Sequence, residues 1–406
     1  MSIRIDDPIT IPSPKTSSTN FTTLFTIPAG FDPSKQNSIE TGYFTLTMMP
    51  SVRCSHACPH CYLTDDERLN SPILSKDDIK QAIIKVRDYF ATLTHIQTKV
   101  ITFYWYGGEP TQLGLPYMID VCQLIEELLP PSTGIYYRHL VITSLIKVDS
   151  RWFEFFEKWC GGYFQSSFDG VMRGQEYFRL WEGRVSEAIA RGLRVGIISV
   201  VNNKLLKSEP TEIVDYLSNL GINDMAFVSL QRNERNKTKN YLRLMPTLTQ
   251  YSDFLIAVME AYYARRSGGQ YVPEVGQAHF VLSRSKMTIN GNVAGQTLFL
   301  MPNGDFSLPD YQDHYTEFSH VFGNILNQTF EEVLTSRERR GYLLKQYMGN
   351  HNTECQECPY KTSCLMEFWK ENRPNDECFG ARNFVKYLLE RERTMPVVLG
   401  RSGLIC

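Results

Sequence analysis

From Tyr43 onward the chain alternates short apolar runs with longer stretches of helical periodicity, and this alternation restricts its fold more than any other feature. The runs at 43–49, 100–106, 136–143, 163–168, 195–201 and 225–230 read as strands, and 76–91, 117–129, 174–190 and 211–217 between them as helices. Strand, helix and strand in succession build a parallel sheet with its crossovers packed on the faces. Six such units predict an α/β fold, a partial (β/α)6 TIM-like barrel, and barrels of this kind carry their active sites at the C-terminal ends of the strands. After a last helix near 248–265 the pattern breaks into glycine-rich turns. The sequence therefore divides into an irregular Pro/Ser/Thr/Asn-rich arm (1–42), the barrel (43–285) and a small cysteine-rich domain (286–406).

With 42% hydrophobic and 21% charged residues in 406, most of the chain is expected to be packed structure. Lysine and arginine (42) nearly balance aspartate and glutamate (44), so no overall field draws the protein to nucleic acid or to an anionic membrane. No apolar run is long enough to span a bilayer and no signal peptide is visible, so a cytoplasmic location is expected. In that reducing compartment the ten cysteines read as metal ligands rather than as disulfides. Cys54, Cys58 and Cys61 form one group and Cys355, Cys358, Cys364 and Cys378 another. Cys122, Cys160 and Cys406 stand apart and read as small buried hydrophobes.

Cys54-Ser-His-Ala-Cys58-Pro-His-Cys61-Tyr62 follows the first strand directly. A structural zinc is normally closed by four ligands, whereas a reactive centre keeps one position open; three thiols on a four-iron cluster leave one iron free. His56 or His60 could instead complete a zinc tetrahedron. The C-x3-C-x2-C-aromatic run after strand one resembles the signature of the radical S-adenosylmethionine (SAM) superfamily. The resemblance implies that Cys54, Cys58 and Cys61 hold a [4Fe-4S] cluster whose open iron is chelated by SAM. Tyr62 then falls where an aromatic ring lies near the adenine.

Further motifs fall at the ends of later strands. Tyr106-Gly107-Gly108-Glu109-Pro110 resembles the family's GGEP motif, which implies that Gly107, Gly108 and Glu109 bind the SAM amino group. Thr143-Ser144 stands where the family often has Thr-Asn, so Ser144 replaces an asparagine that contacts SAM. Ser166-Ser167-Phe168-Asp169-Gly170 resembles the S-x-D-G motif of peptide-modifying members, with Arg179 at about the place of a SAM-binding arginine. Ser167 and Arg179 are the candidates there.

Cys355-x2-Cys358-x5-Cys364 and then Cys378 supply four thiols, which suit either zinc or a four-iron cluster. The spacing resembles the C-terminal part of the SPASM domain, where it ligates the outer of two auxiliary [4Fe-4S] clusters. A small C-terminal iron–sulfur domain of SPASM/twitch-like kind is implied, in reduced form. Phe368 and Pro309 stand where that domain has cysteines for its inner cluster, so only one auxiliary cluster is expected. Asp310, next to Pro309, occupies a position where sulfatase-maturing members carry an acidic residue proposed as general base, a catalytic role a carboxylate can fill.

The resemblance covers residues from about 43 to 385 and implies an oxidoreductase that abstracts a C–H hydrogen from a ribosomally made precursor peptide. The expected outcome is a crosslink, either a cyclophane closed by a C–C bond between two side chains or a related bond, with a flavodoxin or ferredoxin as reductant. The alternatives are an anaerobic, formylglycine-forming sulfatase maturase and a non-catalytic binding module stabilised by two metal sites. The 53 residues before Cys54 are too few for a winged-helix leader-binding domain, so leader recognition is expected at a barrel edge, on the arm or through a separate protein.

Overall fold

The computed structural model describes residues 42–230, 235, 239–284, 297–309, 319–347, 353–360, 363–365 and 373–394. The arm up to residue 41, the expected boundary near 285, and the candidates Asp310 and Phe368 lie outside these residues.

Six strands pair in parallel and in sequential order: β1 (Tyr43–Met48), β2 (Lys99–Trp105), β3 (Ile135–Thr143), β4 (Tyr163–Ser167), β5 (Arg194–Val201) and β6 (Asp224–Ser229). Their bounds follow the expected runs to within a residue or two. The short β7 (Glu274–Val275) adds to β6, and β8 (Thr297–Leu300) adds in parallel to the free side of β1. Two antiparallel strands, β9 (Asp305–Pro309) and β10 (Ser319–Asn324), extend the sheet beyond β8. The ten-stranded sheet runs from β10 at one edge to β7 at the other and does not close, so the molecule is a partial barrel.

The crossover helices pack on the outside of the sheet. They are α1 (Asp65–Asn70), α2 (Lys76–Thr92), α3 (Leu115–Leu128), α4 (Ser150–Trp159), α5 (Gln175–Ala190) and α6 (Pro210–Leu220). Helix α4 falls outside the stretches that periodicity marks as helical. Trp152, Phe153, Phe155 and Phe156 have weak helix preference, and burial decides the matter: all four enter the core, with Phe156 stacked at 4.5 Å on Phe164 of β4. Asp149 begins the helix by accepting from the Arg151 amide.

Beyond β6 come α7 (Lys239–Leu244), α8 (Leu248–Ser267) and α9 (Gly276–Arg284), then α10 (Phe330–Leu334), α11 (Arg337–Tyr347), α12 (Thr353–Gln356) and α13 (Arg382–Thr394). Helix α8 is the platform for the C-terminal cysteines. Asp376 accepts from the Leu248 and Thr249 amides at its start, and Ser252 Oγ accepts from the Phe384 amide of α13. Among the described residues no helix is long and apolar enough to cross a membrane.

At the N-terminal end of the strands Tyr163 donates to Asp224 across β5 (3.0 Å). Burial pushes the Asp224 carboxyl up to about 6 from its ordinary 3.8. A pKa raised in the folded state means stability that is present at low pH and lost as pH rises from about 4 through 6, because the folded protein must then ionise a buried carboxyl. Asp224→Asn keeps the acceptor for Tyr163 and removes that cost. At pH 7.5 it should melt higher than the parent, with up to about 3 kcal/mol gained, and the difference should vanish near pH 4. Paired melting curves at the two pH values check this; a difference independent of pH would contradict it.

Candidate active site

The loop after β1 carries Cys54, Cys58 and Cys61, and Arg68 of α1 holds its Cys54 end. The Cys54 amide donates to the Arg68 carbonyl (2.9 Å), while Arg68 Nη1 donates to the Cys54 carbonyl (3.0 Å). Thr64 and Glu67 form a reciprocal cap at the start of α1, and Glu67 also pairs with Arg235 from beyond β6. Burial pushes the Cys54 and Cys58 thiols up to about 11 and raises Cys61 as well. Free thiols in this pocket stay protonated at neutral pH; a bound metal removes the proton outright.

The end of β2 is pressed against this loop. A Cβ on Gly108 would lie 2.1 Å from the Val52 carbonyl oxygen and 2.4 Å from that of Arg53, so only glycine allows the two backbones to meet. Gly107 has φ 118°, a conformation that turns the chain toward the loop. The Glu109 amide then donates to the Arg53 carbonyl (2.9 Å) and Tyr62 Oη to the Gly107 carbonyl (3.1 Å). The motif's two glycines are thus explained by packing before any ligand is invoked.

Glu109 is 4% exposed and its carboxylate is saturated. Oε1 accepts from Thr111 N (3.2 Å), Thr111 Oγ1 (2.7 Å) and Thr143 Oγ1 (2.7 Å), and Oε2 accepts from Ser144 N (2.7 Å) and Ser144 Oγ. The replacement of asparagine by Ser144 is therefore compatible with the site: serine gives Glu109 two donors. Aiming the Ser144 amide at Glu109 leaves the next residue, Leu145, buried at φ 65°, a strained conformation for a branched side chain.

After β4 the chain makes a single helical turn (Gly170–Arg173) before α5, and this turn faces the cysteine loop. Asp169 Oδ1 accepts from the Val200 amide (3.2 Å), and Asp169 Oδ2 takes Arg173 Nε (2.7 Å). Arg173 also donates to Tyr177 Oη (3.4 Å), which in turn donates to the Ser144 carbonyl (3.1 Å). The His56 ring meets Tyr177 edge-on at 5.0 Å, and His60 Nε2 stands 3.7 Å from Asp169 Oδ2. His56 Nε2 and His60 Nδ1 are buried without a hydrogen-bond partner. Ser167 is half-buried at the end of β4, whereas Arg179 lies on the exposed side of α5 and is not brought to the cysteines. Sequence motifs do not pick out Arg173, although the four-residue spacing of Asp169, Arg173 and Tyr177 is a signal that could have found it.

The second cysteine group converges around Gly380. A Cβ there would lie 2.3 Å from Cys364 Sγ and 3.8 Å from Cys378 Sγ, so the glycine leaves room that the sulfurs border. Burial pushes the Cys355 thiol up to about 11, and Cys378 and Cys358 are close enough to add to that rise. None of Cys355, Cys358, Cys364 and Cys378 is in a disulfide, and four thiols suit a four-thiolate metal centre. Among the described residues, no three or more His, Cys, Asp or Glu side chains are gathered tightly enough to hold a single metal ion.

The overall architecture recurs in solved structures. That of anSMEcpe with bound AdoMet and the Kp18Cys peptide aligns with a TM-score of 0.68 at 16% identity, over 87% of this chain and 99% of that one. SuiB of Streptococcus suis bound to S-adenosylmethionine aligns with a TM-score of 0.56 at 14% identity, over 82% of this chain and 74% of that one. The fold is that of anSMEcpe and SuiB. In sequence the protein is 23% identical over 335 residues to the serine-type anaerobic sulfatase-maturating enzyme of Klebsiella aerogenes, an alignment that spans 79% of this chain and 78% of that protein. No family model matches the chain. The radical SAM, SPASM-type resemblance carried by the cysteine motifs is borne out by these likenesses.

In such a frame the Gly108 contact can be tested directly. Gly108→Ala should drive the 52–53 backbone away and lower the iron retained by anaerobically reconstituted protein several-fold. Gly183→Ala, inside α5 with nothing within 4 Å of its Cβ, should be neutral or stabilise by about 0.5–1 kcal/mol. Equal iron content in the two variants would remove the packing role of Gly108.

Proposed function

We propose that the protein is a radical SAM maturase that crosslinks a ribosomally made precursor peptide. One observation carries the reading: the three-cysteine loop is fastened to Gly107-Gly108-Glu109 by a glycine-only contact and a backbone hydrogen bond, in the fold of enzymes solved with AdoMet bound. Cys54, Cys58 and Cys61 would hold the SAM-binding [4Fe-4S] cluster, and Cys355, Cys358, Cys364 and Cys378 one auxiliary [4Fe-4S] cluster. Bound together, the first cluster and SAM supply a 5′-deoxyadenosyl radical that abstracts hydrogen from an unactivated C–H bond.

The protein's own residues bind and orient. Gly107 and Gly108 expose backbone groups beside the cysteine loop. Glu109 takes five hydrogen bonds and fixes the Thr143-Ser144 strand end, so the groups that would face the SAM amino acid moiety are rigid before it arrives. Tyr62 and Tyr106 bring apolar ring surface to the same edge, where adenine would lie.

A peptide substrate is supported by two relatives: anSMEcpe was solved with the Kp18Cys peptide, and SuiB with its precursor peptide SuiA. Crosslinking is favoured over formylglycine formation by Pro309 and Phe368 at inner-cluster cysteine positions, which leaves thiols for only one auxiliary centre. The sulfatase-maturase reading is favoured by the Klebsiella aerogenes relative and remains the second reading. A peptide partner, a flavodoxin or ferredoxin reductant and Asp310 as general base belong to this proposal.

Two measurements test it. With a candidate precursor peptide, mass spectrometry should find product lighter by two hydrogens per crosslink; an added methyl or adenosyl group would reject the dehydrogenative reading. Glu109→Gln puts an amide donor among the five donors that now meet the carboxylate. It should weaken SAM binding by about tenfold or more in isothermal titration, as expected when a buried charge-assisted network is broken. An unchanged affinity would contradict the assignment of Glu109.

A further inference from the structure

The cysteine loop contains two histidines, one beside a buried ion pair and the other against the tyrosine bonded to that pair. His60, between Cys58 and Cys61, stands 3.7 Å from Asp169; His56, between Cys54 and Cys58, packs edge-on against Tyr177. Asp169 and Tyr177 are the two groups that Arg173 joins, by ion pair, by hydrogen bond and by its guanidinium lying 5.3 Å from the Tyr177 ring centroid. Arg173 and Asp169 have side chains only 9% and 1% exposed, so the pair sits in a dry layer under the loop. The loop thus meets, through its two histidines, one group of side chains from the start of the β4–α5 segment: Asp169, Arg173 and Tyr177.

We propose that Arg173, held by Asp169, is a positioning residue for the three-cysteine centre, clamping the cysteine loop and placing a permanent positive charge beside its thiolates. The inference rests on the reading of Cys54, Cys58 and Cys61 as cluster ligands. Contacts fix the placement: His60 of the loop stands 3.7 Å from Asp169, the partner of Arg173, and His56 packs on Tyr177, to which Arg173 also donates. Arg173 stays charged because the neighbouring Asp169 offsets its burial. A buried cation favours whichever state of the centre carries more negative charge. For an iron–sulfur cluster that is the state with one electron added, so the charge eases reduction.

The test is a redox titration of the reconstituted full-length protein, followed by electron paramagnetic resonance on the signal that changes when SAM is added. That signal belongs to the centre with the open iron, and the unresponsive auxiliary signal is the internal standard. Arg173→Gln should lower the midpoint of the responsive signal by the equivalent of about tenfold in the reduction equilibrium, 59 mV for one electron. Arg173→Lys should keep most of the parent value, and the auxiliary midpoint should not move. Because Arg173→Gln leaves Asp169 buried without its partner, the double variant Arg173→Gln/Asp169→Asn is titrated beside it; a lowered midpoint in either supports the proposal. Iron-loaded variants with the parent midpoint would overturn it. A parent protein with no SAM-responsive signal would instead defeat the reading of Cys54, Cys58 and Cys61, which separates the two failures.

Discussion

The site depends on a backbone-to-backbone contact between the ends of two neighbouring strands. β1 and β2 are parallel partners, and where they end the chain must both leave the sheet and keep the two loops together. The absent side chain of Gly108 lets the second loop lie on the Val52 and Arg53 carbonyls, and the Glu109 amide answers the Arg53 carbonyl. That one junction sets the height of the cysteine loop above the barrel. It also aims Glu109 across to β3, where Thr143 and Ser144 complete its shell.

Buried charge is handled locally at each side of the loop. Glu109 takes five donors without a cation, whereas Asp169 takes Arg173 as its partner. A carboxylate desolvated without such partners would be driven to protonate or would unfold its surroundings. The contrast leaves the loop between a carboxylate held by neutral donors and a buried ion pair. Leu145, held at φ 65°, is the backbone strain accepted to point the Ser144 amide at Glu109.

Most of the fold was legible because strands buried on both faces leave long apolar runs, and β1 to β6 fall where those runs lie. Helix α4 was not, since its four aromatic residues favour helix only once the core receives them. In the site, the cysteines and Gly-Gly-Glu-Pro announce themselves by fixed spacing. Arg173 does not: its role comes from a single helical turn that folds it back under a loop more than a hundred residues earlier in the sequence. The same geometry leaves Arg179, the arginine expected from the motif, on the exposed side of α5.

The central claim is that the three-cysteine loop is a SAM-cleaving centre and that the four-cysteine group holds a separate, auxiliary cluster. Anaerobic reconstitution with iron and sulfide, followed by SAM and dithionite, tests it most directly. The expected result is about eight irons per protein molecule, three-thiolate plus four-thiolate ligation of two four-iron clusters, and release of 5′-deoxyadenosine that is lost when Cys54, Cys58 and Cys61 are replaced together by alanine. Stoichiometric zinc in anaerobically isolated protein, or intact SAM over a fully iron-loaded protein, would contradict it.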